Sequence, residues 1–301
     1  MFEIEQVGEK TFFIKNATNI GLFLENESDV WIIDSGIDSD TGKKILKAVN
    51  EKEWTVKGVI CTHYHADHVG GNKLIKDRTG CKILACGVSK TVCENPLLNA
   101  TFVYGAYPIS EICSKFFLAK PTEDVLEAAE NLPDGLELFE LPGHAFDMIG
   151  IKTSDDVYFL ADSLVSEITT SKYHIFFLYD IGAQLETLDK LKVINDGKND
   201  KTVFIPAHCE MTDDISGLIE GNRSKIHEIA DVILSAADDG QTVEEIVRSV
   251  FIHYDLKINA TQHALLTSTV KSYLSWLQKL GKVTVSFEDN YMIFRRIYEQ
   301  S

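Results

Sequence analysis

Apolar and polar positions alternate in short runs from the start of the chain. TFFI, IGLFLE and VWIID, separated by polar breaks within residues 2–34, predict consecutive antiparallel strands. SGIDSDTGKKILKAVNEKE switches the period. Ile45, Leu46 and Val49 recur at helical spacing behind a stretch rich in Ser, Asp and Thr, which predicts a turn and an amphipathic helix. VKGVIC then reads as a buried strand. Strand, helix, strand is the pattern of an α/β layer, in which ligands gather at the carboxyl ends of the strands. LELFEL (136–141), VYFLA (157–161) and TVFIP (202–206) predict three further strands.

After about residue 213 the pattern changes. One helix carries Ile226, Ile229, Ile233 and Leu234 on a single face and ends by Gly240. Thr242-Val-Glu-Glu245 is a capping box opening a second helix, and ALLTSTVKSYLSWLQKLG predicts a third, ending at Gly281. KVTVSFEDNYMIFRRI reads as a hairpin around a Glu-Asp-Asn turn. The boundaries expected are 1–212 for an α/β domain and 213–301 for a smaller α+β module.

The strand ends carry the chemistry. CTHYHADHVGG, directly after VKGVIC, places His63, His65, Asp67 and His68 within six positions. An extended segment would point His63, His65 and Asp67 one way and His68 the other, so that one loop feeds two adjacent sites. Gly70 and Gly71 predict a tight turn, and NKLIKDRTG a short helix closing at Gly80. The later strands end at His144, Asp162 and His208. A histidine after one strand is usually a structural residue with satisfied hydrogen bonds. Four strand ends that all deliver His or Asp point instead to a metal site, since imidazole and carboxylate are the mixture that zinc, iron and manganese accept.

Composition narrows the partners. Among 301 residues, 45% hydrophobic and 25% charged is ordinary globular make-up, and the six cysteines (61, 81, 86, 93, 113, 209) form no C-x-x-C pair, which predicts reduced thiols. With no apolar run of about 18 residues and no signal-peptide pattern, a cytoplasmic protein without membrane contact is expected. The formal charge of −17 argues against broad binding of phosphate backbones.

The order H-x-H-x-D-H, L-P-G-H, A-D-S, P-A-H resembles the metallo-β-lactamase superfamily of binuclear hydrolases over roughly residues 1–212. The resemblance implies a four-layer αββα sandwich with the site at one edge. His63, His65 and His144 would hold one divalent ion, Asp67, His68 and His208 a second, and Asp162 would bridge them. Zinc is the first expectation, with iron or manganese as alternatives. It further implies a hydroxide shared by the ions as the nucleophile, with Asp67 also orienting it. Asp147 is a candidate partner for His144, or equally a solvent-facing turn carboxylate. Ala145, Ala161 and Cys209 depart from the commonest family pattern without removing a ligand. Retention of Asp162 resembles glyoxalase II, lactonases and nucleases more than true β-lactamases. The C-terminal pattern resembles the winged-helix modules of the β-lactamase-like protein 2 branch, some of whose members cut single-stranded RNA.

Residues 87–129 exceed what a plain sandwich requires, and their aromatics suggest a lid. Tyr104, Tyr107 and Lys120 are then candidate substrate contacts, unless these side chains simply pack the segment onto the sandwich or a second subunit. A second aromatic run, residues 173–180, could line the opposite wall, with His174 a surface or packing residue rather than a further ligand. Arg223, by position, is a further candidate substrate contact. Residues 213–301 hold thirteen acidic and nine basic side chains, net −4, which disfavours RNA without excluding it and suggests packing against the catalytic domain or a homodimer partner. The expected function is hydrolysis of a small ester, thioester or lactone. The alternatives are a single-strand endoribonuclease and a catalytically silent nucleic-acid-binding regulator.

Overall fold

The computed structural model describes residues 2–298. A seven-stranded sheet runs in chain order through β1 (Glu5–Gln6), β2 (Thr11–Ile14), β3 (Ile20–Leu24), β4 (Asp29–Ile33), β5 (Thr55–Ile60), β6 (Lys82–Ala85) and β7 (Val125–Glu127). The first four strands are antiparallel because short turns join them. From β4 onward the pairing is parallel, as crossover connections demand. The first crossover helix, α1 (Ser39–Glu51), starts where the Asp38 carboxylate accepts the amides of Asp40 and Thr41, and it buries Ile45, Leu46 and Val49 as the spacing predicts.

A second sheet has the order β11-β10-β9-β8, comprising β8 (Leu136–Glu140), β9 (Ile149–Thr153), β10 (Val157–Phe159) and β11 (Val203–Ile205). Phe13, Phe23 and Trp31 of the first sheet meet Ile151, Phe159 and Ile205 of the second in one apolar layer. The outer face of the first sheet is covered by α1 and α3 (Asn72–Thr79), that of the second by α8 (Ile181–Asp196) and α9 (Ser216–Ala236). Helix, sheet, sheet, helix is the four-layer order expected. Among the described residues no helix is long and apolar enough to cross a membrane.

Two local readings are corrected. Residues 66–69 form a short helix, α2 (Ala66–Val69), in which the His68 amide bonds the His65 carbonyl, so extended alternation stops at His65. Gly70 and Gly71 have ordinary negative φ angles. They are required by close approach rather than by a turn: a Cβ on Gly70 would lie 2.1 Å from the Ile37 carbonyl oxygen, and one on Gly71 2.4 Å from that of Ser35.

The 87–129 segment also divides differently. Helix α4 (Gly87–Glu94) and strand β7 belong to the sandwich, and α6 (Ala128–Asn131) follows directly. The excursion proper is α5 (Leu97–Tyr104) with the loop 105–124. It packs through Val103, Ile112 and Phe117 against Ala264.

Past α7 (Glu167–Tyr173) and α8, the chain continues as α9, α10 (Val243–His253), α11 (Ala260–Lys279) and the hairpin β12 (Val283–Glu288) and β13 (Tyr291–Arg296). Thr242 and Glu245 make both bonds of the capping box. Asp289 and Asn290 turn the hairpin with φ of 48° and 68°, the two positive values a two-residue turn needs. These helices share one buried cluster with the second sheet: Leu141, Leu188, Ile226, Ile233 and Tyr273 belong to it.

Candidate metal centre

Five segments deliver the polar side chains. β5 leads into His63 and His65, α2 carries Asp67 and His68, and the ends of β8, β10 and β11 lead to His144, Asp162 and His208. Two groups of potential ligands result, His63, His65, His144 and Asp162 on one side and Asp67, His68, Asp162 and His208 on the other, each with its ligand atoms within 4.8 Å of one another. Asp162 belongs to both. In the first group His63 Nε2 lies 3.0 Å from His65 Nδ1, and His144 Nε2 2.9 Å from the same atom. In the second, His208 Nε2 lies 3.3 Å from Asp67 Oδ2 and from Asp162 Oδ1.

The rings are fixed from behind. Nδ1 of His144 donates to the Phe177 carbonyl (3.0 Å), Nδ1 of His208 to the Ala17 carbonyl (2.6 Å), and Nδ1 of His68 faces the Asp34 carboxylate (2.7 Å). Thr62 Oγ1 donates its proton to Asp34 and therefore accepts from His63 Nδ1 at 3.2 Å. Each of these four rings thus turns Nε2 inward with its lone pair available. His68 Nε2 and Asp162 Oδ1 are buried without a hydrogen-bond partner although they lie 3.1 Å apart, a pairing that a cation would satisfy. The donor set fits a pair of divalent ions.

Electrostatics agree. Burial, then the neighbouring imidazoles, pushes His63 well below its usual range and His65 down to about 3, and burial lowers His144 too. Burial also pulls on His68, but Asp162, Asp34 and Asp67 outweigh it and hold that imidazole well above its usual value. Asp162 above all pushes His208 up to about 12. Burial would raise Asp67 and Asp162, yet the charges of His68 and His208 hold both carboxyls well below the usual range. In the absence of metal, protons on His68 and His208 thus occupy a place where positive charge is favoured.

Other sequence candidates fall elsewhere. Asp147 does not reach His144: its carboxylate accepts from the Ser89 amide and hydroxyl (3.1 and 2.6 Å) and so anchors α4. Arg223 is turned away into an ion pair with Asp189 of α8 at 2.6 Å. Cys209 Sγ approaches the Leu164 carbonyl, and burial keeps the thiol protonated with a pKa of about 12. His174 stacks on Tyr254. Tyr107 is 78% exposed and Lys120 is exposed on loop 105–124, whereas Tyr104 lines a groove beside α11.

Asp34 was missed as a functional residue. It ends the run VWII as Asp162 ends VYFLA, which is the signal that could have found it. Gln184, also missed, donates Nε2 to the Ser163 carbonyl at 2.8 Å and packs on Gly143, thereby bracing two ligand loops. Its sequence gives no such signal.

An αββα sandwich with paired His/Asp clusters at the ends of its strands defines a class of metal-binding enzyme folds. The chain belongs to the metallo-beta-lactamase superfamily, whose family model matches residues 15–208. Its curated relatives include hydroxyacylglutathione hydrolases. The one from Nitrobacter hamburgensis is 27% identical over 133 residues, 44% of this chain and 43% of that protein, and the one from Rhodopseudomonas palustris 29% over 145 residues, 48% of each. The chain therefore spans under half the length of these relatives. Among solved structures, a beta-lactamase domain protein from Burkholderia ambifaria superposes with a TM-score of 0.76 at 14% identity, covering 98% of this chain and 94% of that one. A metallo-beta-lactamase family protein from Thermus thermophilus gives 0.68 at 16% identity, with 97% of each chain covered. Both likenesses concern the fold.

Proposed function

We propose that the protein is a binuclear metal-dependent hydrolase of a small thioester, ester or lactone. The observation that carries this reading is the paired cluster sharing Asp162, with the buried His68 Nε2 and Asp162 Oδ1 unsatisfied among protein groups. The partial similarity to hydroxyacylglutathione hydrolases favours a thioester. His63, His65 and His144 would hold one ion, Asp67, His68 and His208 the other, and Asp162 both. Zinc suits this donor set best, with iron and manganese as alternatives. Two such ions, when bound, supply Lewis acidity that lowers the pKa of coordinated water from about 15.7 towards 7 and offsets charge developing on a carbonyl oxygen.

The chain's own groups do the rest. Asp67, on the more open side of the site, is positioned by Thr18 Oγ1 at 3.2 Å and can accept a hydrogen bond from the attacking water. Phe177 packs on His65 and His144 at ring-centroid distances of 5.6 and 5.7 Å and shields the first cluster from bulk water. In the net reaction the water oxygen bonds to the acyl carbon, the C–S or C–O bond breaks, and the leaving group departs with a proton.

Metal analysis combined with hydrolysis assays on thioesters, esters, lactones and single-stranded RNA tests the proposal, with Asp67→Ala as control. Two metals per chain and acyl hydrolysis lost in the variant are expected. Metal-dependent RNA cleavage without acyl hydrolysis would replace this reading with the endoribonuclease one. An inert protein that keeps its metals and binds nucleic acid would favour a regulator.

A further inference from the structure

A groove of about 420 Å³ lies between the end of α5, the residues following His144 and the exposed face of α11. One wall is aromatic: Phe102, Tyr104, Phe146 and Tyr179 line it, with the Phe102 and Phe146 centroids 5.1 Å apart and those of Phe146 and Tyr179 4.0 Å apart. The other wall is a stripe of α11 at helical spacing, in which Ser268, Lys271, Ser272, Ser275, Trp276 and Lys279 face the groove. Among the described residues neither Lys271 nor Lys279 makes an ion pair, although the chain carries a net charge of −17. The groove's one acid, Asp180, is committed to the N-terminus of α8, where it accepts from the Ala183 amide. The groove lies one side chain away from the metal centre: Phe102 and Phe146 of its wall pack on Tyr64, whose ring packs on His65, and the amides of Tyr179 and Asp180 bond the Gly143 carbonyl beside His144.

We propose that this groove binds the leaving group of the substrate, and that this group is a thiol joined to a ring-bearing phosphate of nucleotide type. The inference rests on the hydrolase reading for its reaction but not for its binding. The Cα atoms of Lys271 and Lys279, eight residues apart on α11, stand about 12 Å apart along its axis, a spacing that suits anionic groups on either side of a flat ring better than one phosphate. Five aromatic side chains supply stacking faces. Two lysines and a charge of −4 over residues 213–301 are too little for a continuous nucleic-acid backbone.

Binding is measured by Trp276 fluorescence and calorimetry with coenzyme A, glutathione, N-acetylcysteamine and a single-stranded oligoribonucleotide, on the metal-loaded protein, on Lys271→Ala/Lys279→Ala and on Lys271→Arg/Lys279→Arg. Coenzyme A should bind best, weaken about tenfold or more in the alanine pair, and recover in the arginine pair. In assays with one acyl group on two thiols, the ratio of kcat/KM for the coenzyme A thioester to that for the N-acetylcysteamine thioester should fall by a similar factor in the alanine pair, through KM. Equal binding of glutathione, tighter binding of the oligoribonucleotide, or binding indifferent to the lysines would each overturn the proposal. Lysine-dependent coenzyme A binding with no thioester turned over would sustain the groove and defeat the hydrolase reading instead.

Discussion

His68 and Asp34 are in direct contact inside the protein, with Nδ1 of the imidazole 2.7 Å from a carboxylate oxygen and both side chains almost wholly buried. Asp34 also takes the amide and hydroxyl of Thr62 at 2.8 Å each, so one carboxylate sets His68 directly and His63 through Thr62. Its backbone φ of 63° is one that Asn adopts at least as readily as Asp. Asp34→Asn should therefore fold, yet present an amide where His68 needs an acceptor. The expected loss is about 10–100-fold in metal affinity, read by competition with a chelator. Unchanged retention of metal would show that His68 needs no such partner.

Gly143 has φ of 133°, and a Cβ there would stand 2.5 Å from the Gln184 backbone. Gly143→Ala must displace α8 or the loop that carries His144. We expect about 2–4 kcal/mol of destabilisation in urea unfolding of the metal-free protein, from strain and close contact together. A variant as stable as the parent would mean that the loop can shift freely.

The ligand loops were legible because each follows an apolar run whose period and length mark a strand, and a strand end fixes where the next side chains point. Asp34 obeys the same rule but stands alone after its strand, whereas His63 to His68 are conspicuous by density. Helix α8 was not legible. Its buried face includes Gln184, Thr187 and Asn195, which hydrogen-bond the Ser163 and Pro142 carbonyls and the Asp214 carboxylate, so the apolar period is interrupted where the helix does its bracing. Strand alternation would have put Asp67 with His63 and His65 and left His68 alone, whereas the four-residue helix α2 turns Asp67 and His68 to the same side. Strand β7, only three residues long, lay hidden in what reads as an excursion.

Because α9, α10 and α11 share a buried cluster with Leu141 and Leu188, the C-terminal helices should melt together with the sandwich. Thr242→Ala removes the hydroxyl that accepts the Glu245 amide, while the residue-242 amide can still reach the Glu245 carboxylate; it should cost about 1 kcal/mol, lowering the midpoint of one common transition. Near-ultraviolet and far-ultraviolet circular dichroism would follow it. Two separated transitions, with only the first moved by the substitution, would mean that residues after 213 unfold on their own.

Asp38 ties loop 105–124 to the sandwich. Its carboxylate caps α1 and lies 3.0 Å from Lys115 Nζ, and the Thr41 amide, followed by Lys115, lowers its pKa from 3.8 to about 2. A depressed folded-state value means that this carboxylate stabilises the native protein fully above pH 3.8 and progressively less as pH falls towards 2. Lys115 is largely exposed, so the ion pair itself is worth about 0.5 kcal/mol or less and fades with salt, while the cap survives it. Asp38→Asn separates the two: asparagine caps as well as aspartate but cannot pair with Lys115. The variant should keep the stability of the parent within about 0.5 kcal/mol at pH 7. Limited proteolysis within 105–124 should be faster in low salt, and the difference from the parent should vanish at high salt and at pH near 2. Equal proteolysis of the two proteins at neutral pH and low salt would place the tether of this loop elsewhere, in the packing of Ile112 and Phe117 against Ala264.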